Sequence, residues 1–353
     1  MTTHSHIKSL TEPELLKQAR TALEARLPAG WAVIPLPAPA MSVDAVWQVR
    51  APDGTTSPIA VEAKSALAPR DVPRIVAALN KYQTSARLVV VPFLSPSARD
   101  RLRDAGAGYV DLTGNTRVTV PMPGLYIETE GAEKDPNPSG GPRRSLKGAK
   151  ARRLVRALCD YRQPIAVGDL ARRAGIDTGY ASRLLDFLSS EDLITRVPRG
   201  PVQGVAWNRL LRRWARDYSV LTTNVAASYI ASRGIQALVD NLKHLKLRYA
   251  ATGSLAANRV SPVAPTKLAM CYVDDTDEAA GRLGLTPTDI GANVMLLRPD
   301  DDIVFERTKT VDGINCAALS QVAVDLLTSP GRGPAEGEAL MEWMAKDEDA
   351  WRD

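Results

Sequence analysis

The stretch from Ala149 to Trp207 constrains the fold most, because its apolar period changes from helical to alternating within one short segment. Leu154, Val155, Leu158 and Tyr161 fall at spacings of one, three and three, which places them on one helix face. Gln163-Pro164-Ile165 breaks that helix, and a second runs from about Val167 to Ala174, closed by Gly175. Asp177 then caps a third helix, Thr178 to about Asp192, with Leu184, Leu185 and Leu188 on its buried face. Leu193–Val197 and Val202–Trp207 read as two short strands, joined by a turn at Pro198-Arg199-Gly200-Pro201 with a basic tip.

Three helices followed by a strand, a turn and a strand make the order of a winged helix-turn-helix. Charge decides what such a module touches. Arg143 to Tyr218 holds 17 Lys and Arg against 7 Asp and Glu, an excess of ten positive charges. The whole chain carries only +5, so the remainder sums to −5. A basic segment in an otherwise acidic chain is the footprint of a phosphate-binding surface. The start of the third helix would enter the major groove, which nominates Thr178, Tyr180, Ser182 and Arg183 as contacts, with Gly179 between them. Arg199 would reach a neighbouring groove or phosphate, while Arg143, Arg144, Lys147 and Lys150 would lie along the backbone. The alternative is a solvated basic surface that only meets proteins.

A length of 353 residues suits two or three cores, and 44% hydrophobic with 24% charged residues describes an ordinary globular chain. No run approaches membrane length, and Met1–Lys8 lacks a secretory pattern. Cys159, Cys271 and Cys316 stand far apart, and with three histidines they make a structural zinc site unexpected. These features point to a cytoplasmic protein with no membrane partner. The Pro- and Gly-rich stretch Glu130–Pro142 marks a linker. The expected division is 1–130, a linker 131–145, a helix-turn-helix 146–218 and an α/β domain 219–353.

The first domain alternates helix and strand. Helices are expected over Thr11–Arg26, Arg70–Tyr82 and Ser95–Ala105, with Ser95 as cap. Strands are expected at Ala32–Ile34, Val43–Arg50, Ile59–Lys64, Leu88–Pro92, Tyr109–Leu112, Arg117–Val120 and Leu125–Glu128. Within it stand Asp44 and the run Glu62-Ala63-Lys64, where the period of two sets Glu62 and Lys64 on the face opposite Ile59, Val61 and Ala63. This order and these residues resemble the restriction-endonuclease-like fold with its PD-(D/E)xK motif. The resemblance implies that Asp44 and Glu62 hold Mg²⁺ while Lys64 orients the attacking water, in a Mg²⁺-dependent DNA endonuclease targeted by the winged helix. The usual proline ahead of the aspartate is absent, since Ser42-Val43 stands there. Glu14 or Glu24 of the first helix could add a further acidic ligand. The plainer account is a solvated Glu–Lys pair on a scaffold sheet, and Asp111 reads as a turn cap.

The last domain is expected to hold strands at Leu268–Val273, Ala292–Arg298 and around Ile303–Glu306, with helices at Asp277–Leu283, Ala318–Leu327 and Pro334–Trp351. Its acidic end, Asp347, Glu348, Asp349 and Asp353, reads as solvated. Gly253-Ser254 with Asp274 and Asp275 hints at a nucleotidyltransferase, but adjacent strand residues face opposite ways and cannot share one metal. Thr252-Gly253-Ser254, Asn293–Leu297, Gln321–Leu327 and Gly331-Arg332, together with the domain order, resemble AbiEi-type regulators, the antitoxins of type IV toxin–antitoxin systems. The resemblance spans roughly Leu146 to Met344 and implies a bacterial transcriptional regulator that binds double-stranded DNA and represses its own operon. It also implies a cognate toxin as partner, with no cofactor needed, and leaves open a homodimer. Those antitoxins are usually shorter and lack the first sheet domain.

Overall fold

The structure is a computed structural model and describes residues 10–37, 43–137, 145–197 and 200–353. It is an α/β protein with mixed sheets, divided into two compact units. Unit 1 comprises Met1–Pro142 with Ser190–Asp192, and unit 2 comprises Arg143–Ser189 with Leu193–Asp353. No helix of the described residues is long and apolar enough to cross a membrane.

Unit 1 runs α1 (Glu12–Glu24), β1 (Ala32–Leu36), β2 (Ala45–Arg50), β3 (Thr56–Ala63), α2 (Val72–Leu79), β4 (Ala86–Val91), α3 (Pro96–Asp104), β5 (Gly108–Asp111), β6 (Thr116–Val120) and β7 (Leu125–Thr129). The seven strands pair in simple chain order. β3, β4 and β5 are parallel and joined through α2 and α3; every other pair is antiparallel. Cores lie on both faces of the sheet. Ile59, Val61 and Ala63 face α1, with its buried Leu15, Ala19 and Leu23. Ala60 faces the other core, which holds Ile75 and Leu79 of α2 and Leu102 of α3. The Ser95 hydroxyl accepts the Ala98 N–H at 3.2 Å and so starts α3 as a side-chain cap.

Unit 2 opens with α4 (Ala149–Asp160), α5 (Val167–Arg173) and α6 (Thr178–Ser190), then the hairpin β8 (Ile194–Arg196) and β9 (Val202–Val205). Ile165, between α4 and α5, bridges to Val202 and adds a third extended segment to that hairpin. There follow α7 (Trp207–Ala215), α8 (Val220–Thr223), β10 (Val225–Ile230), α9 (Gly234–His244), β11 (Tyr249–Thr252), α10 (Gly253–Ala257), β12 (Ala269–Val273), α11 (Thr276–Leu283) and β13 (Thr286–Pro287). The chain ends with β14 (Val294–Arg298), β15 (Lys309–Val311), β16 (Ile314–Cys316), α12 (Leu319–Leu327) and α13 (Gly333–Lys346). The seven-stranded sheet has the order β13-β10-β14-β12-β11-β16-β15. One continuous core runs from Leu146 to Trp351, so residues on both sides of Tyr218 share it and Tyr218 itself is buried.

Two expected elements differ. Ile303–Glu306 is not a strand; Asp302–Phe305 forms a 3-10 turn. The Asp301 carboxylate accepts the Ile303 N–H at 2.9 Å, and the buried Arg156 donates to the carbonyls of Ile303 and Glu306, so these backbone groups are satisfied without a ladder. The last helix stops at Lys346, and a separate 3-10 turn at Glu348–Ala350 follows, capped by Asp347. The chain end is not simply solvated. Trp351 and Arg352 are buried, and Glu348, Asp349 and Asp353 pair with Arg352, Arg162 and Arg307.

Candidate functional site

In unit 2, packing exposes the start of α6. Ala181, Leu184, Leu185 and Leu188 are buried against Leu154, Val155 and Leu158 of α4 and Leu170 of α5. Gly175 sits between α5 and α6 at φ +60°, where a Cβ would be 3.2 Å from the Arg153 guanidinium. Glycine is therefore needed to turn the chain tightly. The remaining face of α6 carries Thr178 and Arg183 exposed and Tyr180 and Ser182 half-buried. The Asp177 carboxylate accepts the Tyr180 N–H at 2.7 Å, which holds its pKa below the ordinary value, with Lys150 adding to the effect. Lys150 Nζ lies 3.5 Å from Asp177 Oδ2 and 5.8 Å from the centre of the Tyr180 ring. The Arg183 guanidinium lies beside Gly179, within 3.5 Å of where a Cβ would stand. Lys147 is exposed just before α4. Thus Thr178, Tyr180, Ser182, Arg183 and Lys150 gather around one helix start. Arg143, Arg144 and Arg199 lie outside the described residues.

Tertiary structure changes the charge argument. Arg152, Arg153, Arg162 and Arg212 pair with Asp300, Asp301, Asp349 and Glu338, all from beyond Tyr218. Arg156, Arg172, Arg196 and Arg213 pair with Asp160, Asp169, Asp186 and Asp217 of the same segment. The second set is already counted in the balance, so the four pairs to residues beyond Tyr218 are what draws on the +10 excess. The pair Lys150–Asp177 is exposed on both sides, so water and salt screen it.

In unit 1, Ala45 pairs with Val61, so Asp44 and Glu62 leave the β2–β3 ladder side by side. Asp44 Oδ2 accepts the Ala63 N–H at 2.8 Å. Lys64 Nζ lies 2.6 Å from Glu62 Oε1, 3.5 Å from Asp44 Oδ2 and 3.1 Å from the Ala63 carbonyl oxygen, to which it donates. Three oxygens from two strands thus converge on one ammonium group. Partial burial alone would lower the Lys64 pKa, but the hydrogen bond to Glu62 and the charges of Asp44 and Glu62 outweigh it and raise the value. Glu14 and Glu24 do not join this cluster. Glu14 closes a capping box with Thr11, and Glu24 pairs with Arg20 at 3.9 Å. Among the described residues no group of three or more His, Cys, Asp or Glu is placed to hold a metal. Asp111 is buried and accepts from the Leu94, Thr113 and Asn115 backbone N–H groups and from the Thr113 and Asn115 side chains, which is turn-fixing work.

The acidic pair of the other sheet also has structural duties. Asp274 forks with Arg248 at 3.0 Å, and Asp275 caps α11 through the Asp277 and Glu278 N–H groups. Thr252 does not cap α10 with its side chain; its hydroxyl donates to Asp325 at 2.5 Å. Asp325, fully buried, also accepts from Tyr218 and Tyr272 at 2.8 Å and from Gln321 at 2.9 Å. Its pKa is raised to about 6 by burial, which outweighs those four hydrogen bonds. Sequence reading had no role for this network. Its visible trace is Gln321 and Asp325, one turn apart in Leu319–Leu327, whose remaining residues are apolar except Ser320.

Comparison of the chain with protein-family models, characterised proteins and solved structures found no match.

Proposed function

We propose that this protein binds double-stranded DNA sequence-specifically through α6 and acts as a bacterial, cytoplasmic transcriptional regulator of the antitoxin type. The observation that carries the reading is the start of α6. Its inner face is locked into the core, while Thr178, Tyr180, Ser182, Arg183 and Lys150 surround its exposed first turns. The order α4, Ile165 segment, α5, α6, β8, β9 supports a winged helix-turn-helix, in which that turn would enter the major groove. The domain that follows is read as AbiEi-like on the residues already named, with a cognate toxin as a further partner. If the protein binds as a homodimer, its operator is an inverted repeat with half-sites about one helical turn apart.

The test is selection of binding sites from random duplexes by the full-length protein, followed by affinity measurement. Arg183→Ala is expected to weaken the selected site by ~1–3 kcal/mol and relax one base position. Lys147→Ala should instead weaken all duplexes alike and lower the salt slope by about one. Unchanged affinity in Arg183→Ala would remove that residue from the reading surface.

A second reading is favoured by the cluster in unit 1. The sheet order and the motif support a restriction-endonuclease-like domain, and the donor set suits a hard divalent cation. Two carboxylates and the Ala63 carbonyl already converge on a cation, the Lys64 ammonium. Asp44, Glu62 and the Ala63 carbonyl would hold Mg²⁺, which would supply charge stabilisation at a scissile phosphate. Lys64 would then move aside to orient water. Supercoiled plasmid should be nicked with Mg²⁺ or Mn²⁺ and left intact by Lys64→Ala. Intact plasmid with wild-type protein would leave this sheet as scaffold.

A further inference from the structure

Between α9 and α11 of unit 2 lies an open groove of about 890 Å³. Half-buried Leu245 and Leu247 line it above a floor of the buried Leu238 and Leu283, and Asn241 crosses it to donate to the Leu283 carbonyl at 3.3 Å. Its rim carries Arg233, His244, Lys246 and Arg282. No lining residue is acidic, and none is Phe, Tyr or Trp. Arg282 has Glu278 at 3.8 Å, an exposed pair; Arg233, His244 and Lys246 have no ion-pair partner among the described residues. Elsewhere in this unit arginines are repeatedly matched to carboxylates, as the Arg152, Arg153, Arg156 and Arg213 pairs show. Here the basic groups are left for something outside the chain.

Helix geometry fixes the size of the missing partner. Arg233 precedes α9 and Lys246 follows it, so the cationic ends are separated by at least the roughly 16 Å length of the helix, about five residues of extended peptide. A run of bases would want several aromatic platforms, and the lining offers only the His244 ring. Aliphatic side chains between negative ends would match the floor and the rim together.

We propose that the groove between α9 and α11 binds an acidic, leucine-bearing peptide segment of a partner protein. This stands independently of DNA binding by α6. The probe is a fluorescein-labelled peptide of about twelve residues, with Leu and Ala at its centre and Glu at both ends, followed by anisotropy with full-length protein. Its Gln-for-Glu counterpart and a single-stranded thymidine oligonucleotide serve as competitors. The acidic peptide should bind saturably, and more weakly as salt rises through the range where charges are screened. The double variant Arg233→Glu, Lys246→Glu should weaken it at least about tenfold, and Arg233→Gln, Lys246→Gln by a smaller factor. Arg70→Glu with Lys81→Glu, which makes the same change of net charge on exposed residues of unit 1, should leave it unaltered. Absent saturation, equal binding of the neutral peptide, or equal loss in the unit 1 variant would overturn the proposal. Displacement of the peptide by the oligonucleotide at equal concentration would also overturn it and give the groove to nucleic acid.

Discussion

Trp351→Ala is expected to destabilise unit 2 by ~3–5 kcal/mol, the range for removing a buried tryptophan. Trp351 is 4% exposed, stands edge-on to Trp207 with ring centres 5.1 Å apart, and donates through its indole N–H to the Met344 carbonyl at 3.0 Å. The substitution leaves a large void and loosens the segment that the ring anchors. That segment closes the end of α4. Arg352 donates to the carbonyls of Cys159 at 2.9 Å and Tyr161 at 3.1 Å and to Gln163 Oε1 at 2.8 Å. Asp353 exchanges backbone hydrogen bonds with Asp160 and Arg162. A cation on the last carbonyls of a helix satisfies groups that would otherwise be orphaned. Total domain stability is ~5–15 kcal/mol, so the loss is a large fraction of it. Urea denaturation should show a lower midpoint, and hydrogen exchange should show lost protection at the end of α4. Wild-type values for both would mean that the chain end merely rests on the unit.

The second expected result is a stability difference that changes with pH. Asp325 has an ordinary value of 3.8 and is pushed up to about 6 by complete burial. A carboxyl group whose folded value is raised favours the protonated native state. Its stabilising contribution is therefore full below about pH 4 and lost as pH rises through about 6. The size is about 3 kcal/mol, from a shift of roughly two units. Asp325→Asn keeps the shape and carries no charge, so it should match wild type near pH 4. It should gain on wild type by up to about 3 kcal/mol by pH 7. The difference between the two proteins isolates this group from the exposed carboxylates that titrate lower. Urea midpoints measured across this window give the answer. A difference independent of pH would mean that Asp325 stays charged throughout, held by Thr252, Tyr218, Tyr272 and Gln321.

Much of the local structure could be read from residue order. The alternation Ile59, Val61, Ala63 against Glu62 and Lys64 put those three apolar residues together on one face, where they meet α1, because a period of two is a property of the strand itself. Caps at Ser95 and Asp177 were visible for the same reason: a hydroxyl or carboxylate reaches a backbone N–H only three residues away. Glu14 could not be placed this way. Whether it served a metal or its own helix start depended on Thr11, and both residues suit either role until the fold is known.

What the sequence by itself determined is the alternation of helices and strands in unit 1 and through β9, the facing of their apolar residues, and the positions of the helix start at Thr178 and of the Asp44, Glu62 and Lys64 set. Of the seven strands of the last sheet it located β12 and β14. Tertiary structure alone decided which charges are spent. Arg152 meets Asp300 and Arg153 meets Asp301 across nearly 150 positions of chain, and such pairings leave no periodic trace. The strand order β13-β10-β14-β12-β11-β16-β15 is equally non-local, and it brings Thr252, Tyr272 and Asp325 together. Periodicity reports which way a side chain points relative to its neighbours. Only closure of the core selects, among the many carboxylates a basic residue might meet, the one within hydrogen-bond reach.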